Sequence, residues 1–271
     1  MPIKKDETGK RWVEMEFVAP GTPEQLWQAM ATGPGNTAWF TKATVEERVG
    51  GEIQFDFGTS GKQSGEVTAW EPPQRFAYVE RHWSEGAPPV ATEITITARS
   101  GDTCVVRMVH SLFTSSDEWD DQIETFEKGW PAFFAVLRLY LTHFPGQRAA
   151  SFAVISALDG DHLSAWTRFT TQLDLAGASV GETRTTAAEP EALTGVLERI
   201  DQDRQQRYIL MRLDAPAPGV VLFGTYDFGA QIVASMTMYF YGDGAETRAA
   251  ASGQRWRDWF AAIGPDVLKS A

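Results

Sequence analysis

Residues 118–144 read EWDDQIETFEKGWPAFFAVLRLYLTHF, and the spacing of apolar residues in this stretch decides the fold. Trp119, Ile123, Phe126, Trp130, Phe133, Phe134, Leu137, Leu141 and Phe144 recur at steps of three and four, which places them on one helical face. Asp120, Asp121, Glu124, Glu127, Lys128 and Arg138 take the opposite face. Ser115 or Ser116 is positioned to cap the start, and the acids after them suit the positive end of the helix dipole. Roughly 26 residues at 1.5 Å each make a rod of about 40 Å. Pro131 removes one backbone donor, so a bend is expected after Gly129-Trp130. A stripe this aromatic must be buried against a large concave surface.

The chain before it supplies one. Arg11–Val18 alternates as a strand. Thr22-Pro23-Glu24 then carries a cap, a proline and an early acid for a short helix, with Leu26, Trp27 and Met30 as its buried side. Gly33-Pro34-Gly35-Asn36 is read as a breaker, with one more helical turn at Thr37–Phe40. Strands are expected at 44–49, 52–57, 63–70, 75–83, 90–99 and 104–113, separated by Gly-Gly, Pro-Pro and Ser-Gly-Asp turns. Short turns between successive strands mean an antiparallel sheet, with the helix across its inner face.

Pro145-Gly146 stops the helix, and the order of elements then begins again. A strand at 151–158 is followed by a helix from Asp161 to Leu175, with Leu163, Trp166, Phe169 and Leu173 as its buried face. Runs of β character follow at 180–186, 193–201, 208–213, 220–228 and 232–241, and a final helix from about Ala245 carries Trp256, Trp259, Phe260 and Ile263. The fold class expected is α+β in two tandem units, with domains at 1–148 and 149–271.

Composition narrows the function. A formal charge of −12 argues against nucleic acid, which needs a basic face, and against anionic membrane surfaces. No apolar run reaches membrane-spanning length, and MPIKKDETGK has no apolar signal core. A single cysteine, Cys104, excludes an internal disulfide and fits a reducing cytoplasm. The four histidines lack ligand spacing, so no metal is expected, and no Gly-rich phosphate loop or serine elbow implies a cofactor or a hydrolase nucleophile.

Residues 11–144 resemble the activator-of-Hsp90-ATPase-homologue (AHSA1-like) branch of the START-like, or SRPBCC, superfamily. The matching pieces are Ala19-Pro20 followed by Glu24 and Leu26-Trp-Gln-Ala29, Trp39-Phe40, VGGEIQFDF from Val49, GEVTAWEPPQRFAYV from Gly65, the strand end at His110, and Gly129-Trp130. The resemblance implies a helix-grip fold, a curved antiparallel sheet around its last helix with an apolar cavity between them. Its members are variously binders of hydrophobic ligands, cyclase-like enzymes and co-chaperones.

The residues expected to line such a cavity are Trp39, Phe40, Phe55, Phe57, Trp70, Phe76, Tyr78, Met108, His110, Trp130, Phe133, Phe134 and Leu137. They fit a hydrophobic, aromatic or lipid-like small molecule. Strand alternation puts Phe76, Tyr78, Glu80 and His82 on one face, so Glu80 and His110 are the candidates for acid–base work if the protein is an enzyme. Three alternatives stand at this point: a non-catalytic binding protein, a cyclase- or hydrolase-like enzyme, and a module for a protein partner or self-association.

Overall fold

The structure is a computed structural model that describes residues 3–7, 10–58, 61–114, 116–203, 206–229 and 231–265; the side chains of 123 and 125–128 are not described. The expectations for Ile123, Phe126, Glu127, Lys128 and Ser115 lie outside the described residues. The chain divides into two compact units, with the boundary at Gly146/Gln147.

In unit 1, β1 (Lys4–Lys5) and β2 (Arg11–Pro20) lead into α1 (Pro23–Ala31) and α2 (Gly33–Thr37). Six strands follow: β3 (Lys42–Val45), β4 (Glu52–Asp56), β5 (Lys62–Glu71), β6 (Arg75–Glu80), β7 (Val90–Arg99) and β8 (Thr103–Leu112). The long helix α3 (Asp120–His143) closes the unit. The sheet order is β1-β2-β8-β7-β6-β5-β4-β3, antiparallel throughout, so the first long strand pairs with the last and the others form a meander. α3 packs on the inner face of this sheet. Phe134 stacks on Phe17 of β2 with ring centroids 4.0 Å apart, and Val136, Leu137 and Leu141 are buried. The helix runs unbroken through Pro131.

Three local expectations are corrected. The stretch from Gly33 forms α2 instead of breaking the chain, because the Thr32 hydroxyl caps it by accepting from Gly35 N–H. Gly35 also lets α2 approach α1 closely: an added Cβ would fall 1.8 Å from the Gln28 carbonyl oxygen. α3 begins after Trp119 without a side-chain cap, since Ser116 instead accepts from the Glu118 N–H. Its start is tied down by Asp120, which pairs with the buried Arg11 of β2. Strand β6 ends at Glu80, so His82 lies beyond the sheet and is exposed.

Unit 2 has β9 (Ala149–Leu158), α4 (His162–Gln172), β10 (Thr183–Thr185), β11 (Thr194–Gln202), β12 (Gln206–Ala215), β13 (Gly219–Phe228), β14 (Gln231–Tyr241) and α5 (Ala245–Ile263). Its sheet order is β10-β11-β12-β13-β14-β9, again with the first strand paired to the last and the rest a meander. α5 and α4 pack on one face through Trp166, Phe169, Trp256 and Phe260, against Met211, Phe223, Met236 and Met238. Leu163, expected on the buried face of α4, is 58% exposed; Ala165 and Thr170 join Trp166 and Phe169 inside. The architecture is therefore α+β of the START-like, helix-grip type, with two antiparallel sheets each closed by a C-terminal helix. Among the described residues, no helix is long and apolar enough to cross a membrane.

Candidate functional site

The inner face of the sheet in unit 1 carries one polar line through an apolar wall. On β8 the inward residues are Val106, Met108 and His110; on β7 they are Val90, Thr92, Ile94 and Ile96; on β6 they are Phe76, Tyr78 and Glu80. Register places Tyr78 beside Thr92 and Thr92 beside His110. The Trp130 indole N–H on α3 donates to His110 Nε2 at 2.9 Å. An indole can only donate, so Nε2 carries a lone pair and the proton of the neutral ring sits on Nδ1. That Nδ1 lies 2.8 Å from the Thr92 hydroxyl. The Thr92 hydroxyl proton is then left for the Tyr78 oxygen, to which Thr92 is bonded.

Burial sets the charge states. It pushes the His110 imidazole down to about 4, so the ring is neutral at physiological pH. It pushes the Tyr78 hydroxyl upward, with the nearby Glu80 charge acting in the same direction. Glu80 is partly exposed, yet desolvation by its apolar surroundings raises its carboxyl to about 7. Its cross-strand neighbour on β7 is Val90, and Gly65 of β5 lies close on its other side. An added Cβ at Gly65 would lie 3.2 Å from Glu80 Cγ, so this glycine makes room for the carboxylate arm.

The expected lining residues separate into two groups. Trp39, Phe55, Phe76, Tyr78, Met108, Phe134 and Leu137 are buried. They pack on one another: Trp39 lies 6.3 Å from Phe134, Phe55 5.7 Å from Tyr78, and Phe76 5.6 Å from Tyr78. Phe40, Phe57, Trp130 and Phe133 are only half-buried. Phe40 is their centre, with Trp130 at 4.8 Å, Phe133 at 5.0 Å and Phe57 at 5.7 Å. Trp70 belongs to neither group, because it packs edge-on to Trp27 of α1 and to Phe76.

The two acid–base candidates do not meet. His110 lies two strands over from Glu80 and two residues out of step with it, which at a strand spacing of about 4.8 Å and a rise of about 3.3 Å per residue separates their backbones by about 12 Å. Both His110 nitrogens are also engaged. Thr92 was missed from sequence, although a lone threonine in the inward row Val90, Ile94, Ile96 is the signal that finds it. Phe17 and Trp27 were missed as well, because a single strand or helix pattern does not say which rings meet.

Further features lie away from this wall. A cleft of about 450 Å³ opens on the outer face of the same sheet, over Trp12, Ala77, Val79, Val109 and Phe113. A smaller one of about 370 Å³ in unit 2 is lined by Asp159, Arg168, Phe169, Gln172 and Ile263. His162 is mostly buried, with Nε2 2.9 Å from the Thr225 hydroxyl and Nδ1 3.3 Å from Asp227. Among the described residues, no group of His, Cys, Asp and Glu could hold a metal ion.

Comparison with known proteins places the first unit. The profile of the family described as activator of Hsp90 ATPase homolog 1-like protein matches residues 20–142. A search of curated proteins found no match. Among solved structures, DynU16, a protein of the dynemicin biosynthetic locus, is 18% identical over 93% of this chain and 96% of its own, with a TM-score of 0.42. MLL2253 from Mesorhizobium loti is 25% identical over 49% of this chain and 98% of its own, with a TM-score of 0.44. CalU16 from Micromonospora echinospora is 20% identical over 52% and 83%, with a TM-score of 0.41. Residues 20–142, all within unit 1, are thus similar to the activator of Hsp90 ATPase homolog 1-like (AHSA1) family.

Proposed function

We propose that unit 1 binds a hydrophobic, aromatic or lipid-like small molecule at the open end of the space between its sheet and α3. The observation that carries this reading is the cluster of four half-buried rings, Phe40, Phe57, Trp130 and Phe133, gathered where the buried aromatic core gives way to solvent. Leaving large rings half-wetted forgoes burial energy of about 25 cal/mol per Å² of apolar surface, which a flat apolar guest would recover. The deeper rings already occupy the interior, so the guest sits at the mouth. A catalytic role for Glu80 with His110 is disfavoured by their separation and by the engagement of both imidazole nitrogens. A cytoplasmic workplace belongs to the same reading, in keeping with the one free, buried thiol at Cys104. We also read unit 2 as a diverged copy of unit 1, from the shared order of strands and closing helix.

The test is native mass spectrometry of freshly purified protein, with titration of the neutral fluorescent probe N-phenyl-1-naphthylamine. Binding that is lost in Phe40→Ala and Phe133→Ala supports the site. Absence of any co-purified molecule together with no probe binding sinks it.

A second reading rests on a different observation, the outer-face cleft with Phe113 59% exposed at its edge. That face suits a protein partner or a second copy of the chain. Sedimentation of the wild type against Phe113→Ser tests it: a concentration-dependent association abolished by the substitution supports this reading, and a monomer in both cases removes the self-association form.

A further inference from the structure

The titratable side chains described on the inner face of unit 1 are Arg11, Tyr78, Glu80, Cys104 and His110. Arg11 is paired with Asp120, the Cys104 thiol is directed at the Gly21 carbonyl, His110 is held at both nitrogens, and the Tyr78 oxygen accepts from Thr92. Glu80 alone, among these described groups, makes no hydrogen bond or ion pair. It stands on the same face as the aromatic cluster and is open to solvent on one side. Ring faces carry negative potential and attract cations, and a carboxylate beside them adds a full opposite charge. An anionic guest would meet repulsion here, and a neutral one would leave the carboxyl as it is. The overall charge of −12 also favours approach of a cation.

We propose that the guest of unit 1 is an amphipathic amine, with an apolar body lying on Phe40, Trp130 and Phe133 and a protonated nitrogen paired with the Glu80 carboxylate. This rests on the reading of the mouth as a small-molecule site and names the class of molecule it takes. The titratable groups around Glu80 are Tyr78 on its own strand, His110 across β7, and the exposed His82 beyond the strand end; Arg81 is turned to the other face and paired with Glu66. Tyr78 is never cationic and the buried His110 is neutral at physiological pH, so neither supplies Glu80 with a positive charge. Because the free carboxyl titrates near 7, binding of a cation at that pH should drive it to the ionised form and release its proton.

The experiment uses isothermal titration calorimetry of the full chain with three probes of one shape: 1-naphthylmethylamine, 1-naphthalenemethanol and 1-naphthoate. The amine should bind about tenfold or more tightly than the alcohol, one charge-assisted pair being about that large, and the carboxylate should bind least. In Glu80→Gln the preference for amine over alcohol should fall to about one. A second readout needs no variant: in buffers of different ionisation enthalpy at pH 7, amine binding should release about half a proton and alcohol binding none. Equal affinity for amine and alcohol, or an amine preference that survives Glu80→Gln, overturns this inference while leaving the binding site standing. If none of the three probes binds, the site itself falls and the inference with it.

Discussion

Trp130 and His110 are joined edge to edge: the indole N–H donates to Nε2 at 2.9 Å, with the ring planes 13° from parallel and the centroids 5.8 Å apart. This joins the middle of α3 to the last strand of the sheet and fixes the tautomer of a buried imidazole. Replacing the indole by a ring without a donor should expose what the bond does. In Trp130→Phe the Nε2 lone pair loses its partner, at a cost of about 1–3 kcal/mol in urea unfolding. The imidazole should also titrate above its present value of about 4, because a proton on Nε2 would no longer face another donor. An unchanged NMR titration of His110 would show that the bond does not control its charge.

Glu80 and His110 act on the pH dependence of stability in opposite senses. His110 has a folded value of about 4 against 6.5 unfolded, so below pH 6.5 the unfolded chain binds more protons and stability falls with falling pH. Glu80 has a folded value of about 7 against 4.5, so the folded chain holds the extra proton and stability falls as pH rises from 4.5 through 7. Between pH 4.5 and 6.5 the two slopes nearly cancel. Glu80→Gln should unmask the histidine, so that stability relative to wild type climbs with pH by up to about 1.4 kcal/mol per unit in that window. Parallel profiles for the two proteins would contradict this.

Trp39 and Phe40 are adjacent in sequence but sit on opposite sides of the line between core and mouth. Trp39 is buried and its indole donates to the Ala29 carbonyl at 2.9 Å. Trp39→Ala should cost about 3–5 kcal/mol of stability. Phe40→Ala should cost less, since the ring is half-wetted, and should instead abolish binding of the naphthyl probes. Equal stability losses would mean that Phe40 is core and the mouth is closed.

Two glycines give a contrast in stability. In Gly35→Ala the new Cβ would meet the Gln28 carbonyl at 1.8 Å, a backbone atom that cannot swing away, so the loss should reach about 3 kcal/mol. Gly129 lies within α3, exposed, with nothing within 4 Å of an added Cβ. Gly129→Ala should therefore raise stability by about 0.5–1 kcal/mol through better helix propensity. Thermal unfolding of both variants checks the pair.

Elements whose pattern repeats over many residues were legible in the chain. The three-and-four spacing from Trp119 to Phe144 gave α3 to within two residues at its start, and alternation gave β7 at 90–99 as it stands. Shorter signals misled. Gly33-Pro34-Gly35 reads as a breaker by propensity, yet a threonine cap and a close helix crossing make it α2. Arg75–Trp83 reads as one strand, yet pairing with β7 stops at Val90, and His82 falls outside the sheet. For the candidate site, alternation groups Tyr78 with Glu80 along β6, and register sets Tyr78 beside Thr92 and Thr92 beside His110. Alternation could not say that β7 stands between Glu80 and His110, because that distance depends on sheet order and not on spacing along the chain.

By itself the sequence determined which faces are greasy, where the chain turns and that two similar α+β layouts follow one another, since these depend on near neighbours and on periods of 2 and 3.6 residues. The tertiary structure alone decided which rings fill the interior and which stay at its edge, that an indole occupies one nitrogen of His110, and that Glu80 is left without a partner among the described inner-face titratable groups. Those outcomes come from contacts between residues far apart in the chain, such as Trp130 with His110 and Phe40 with Phe133, whose geometry is fixed only when the helix settles on the sheet.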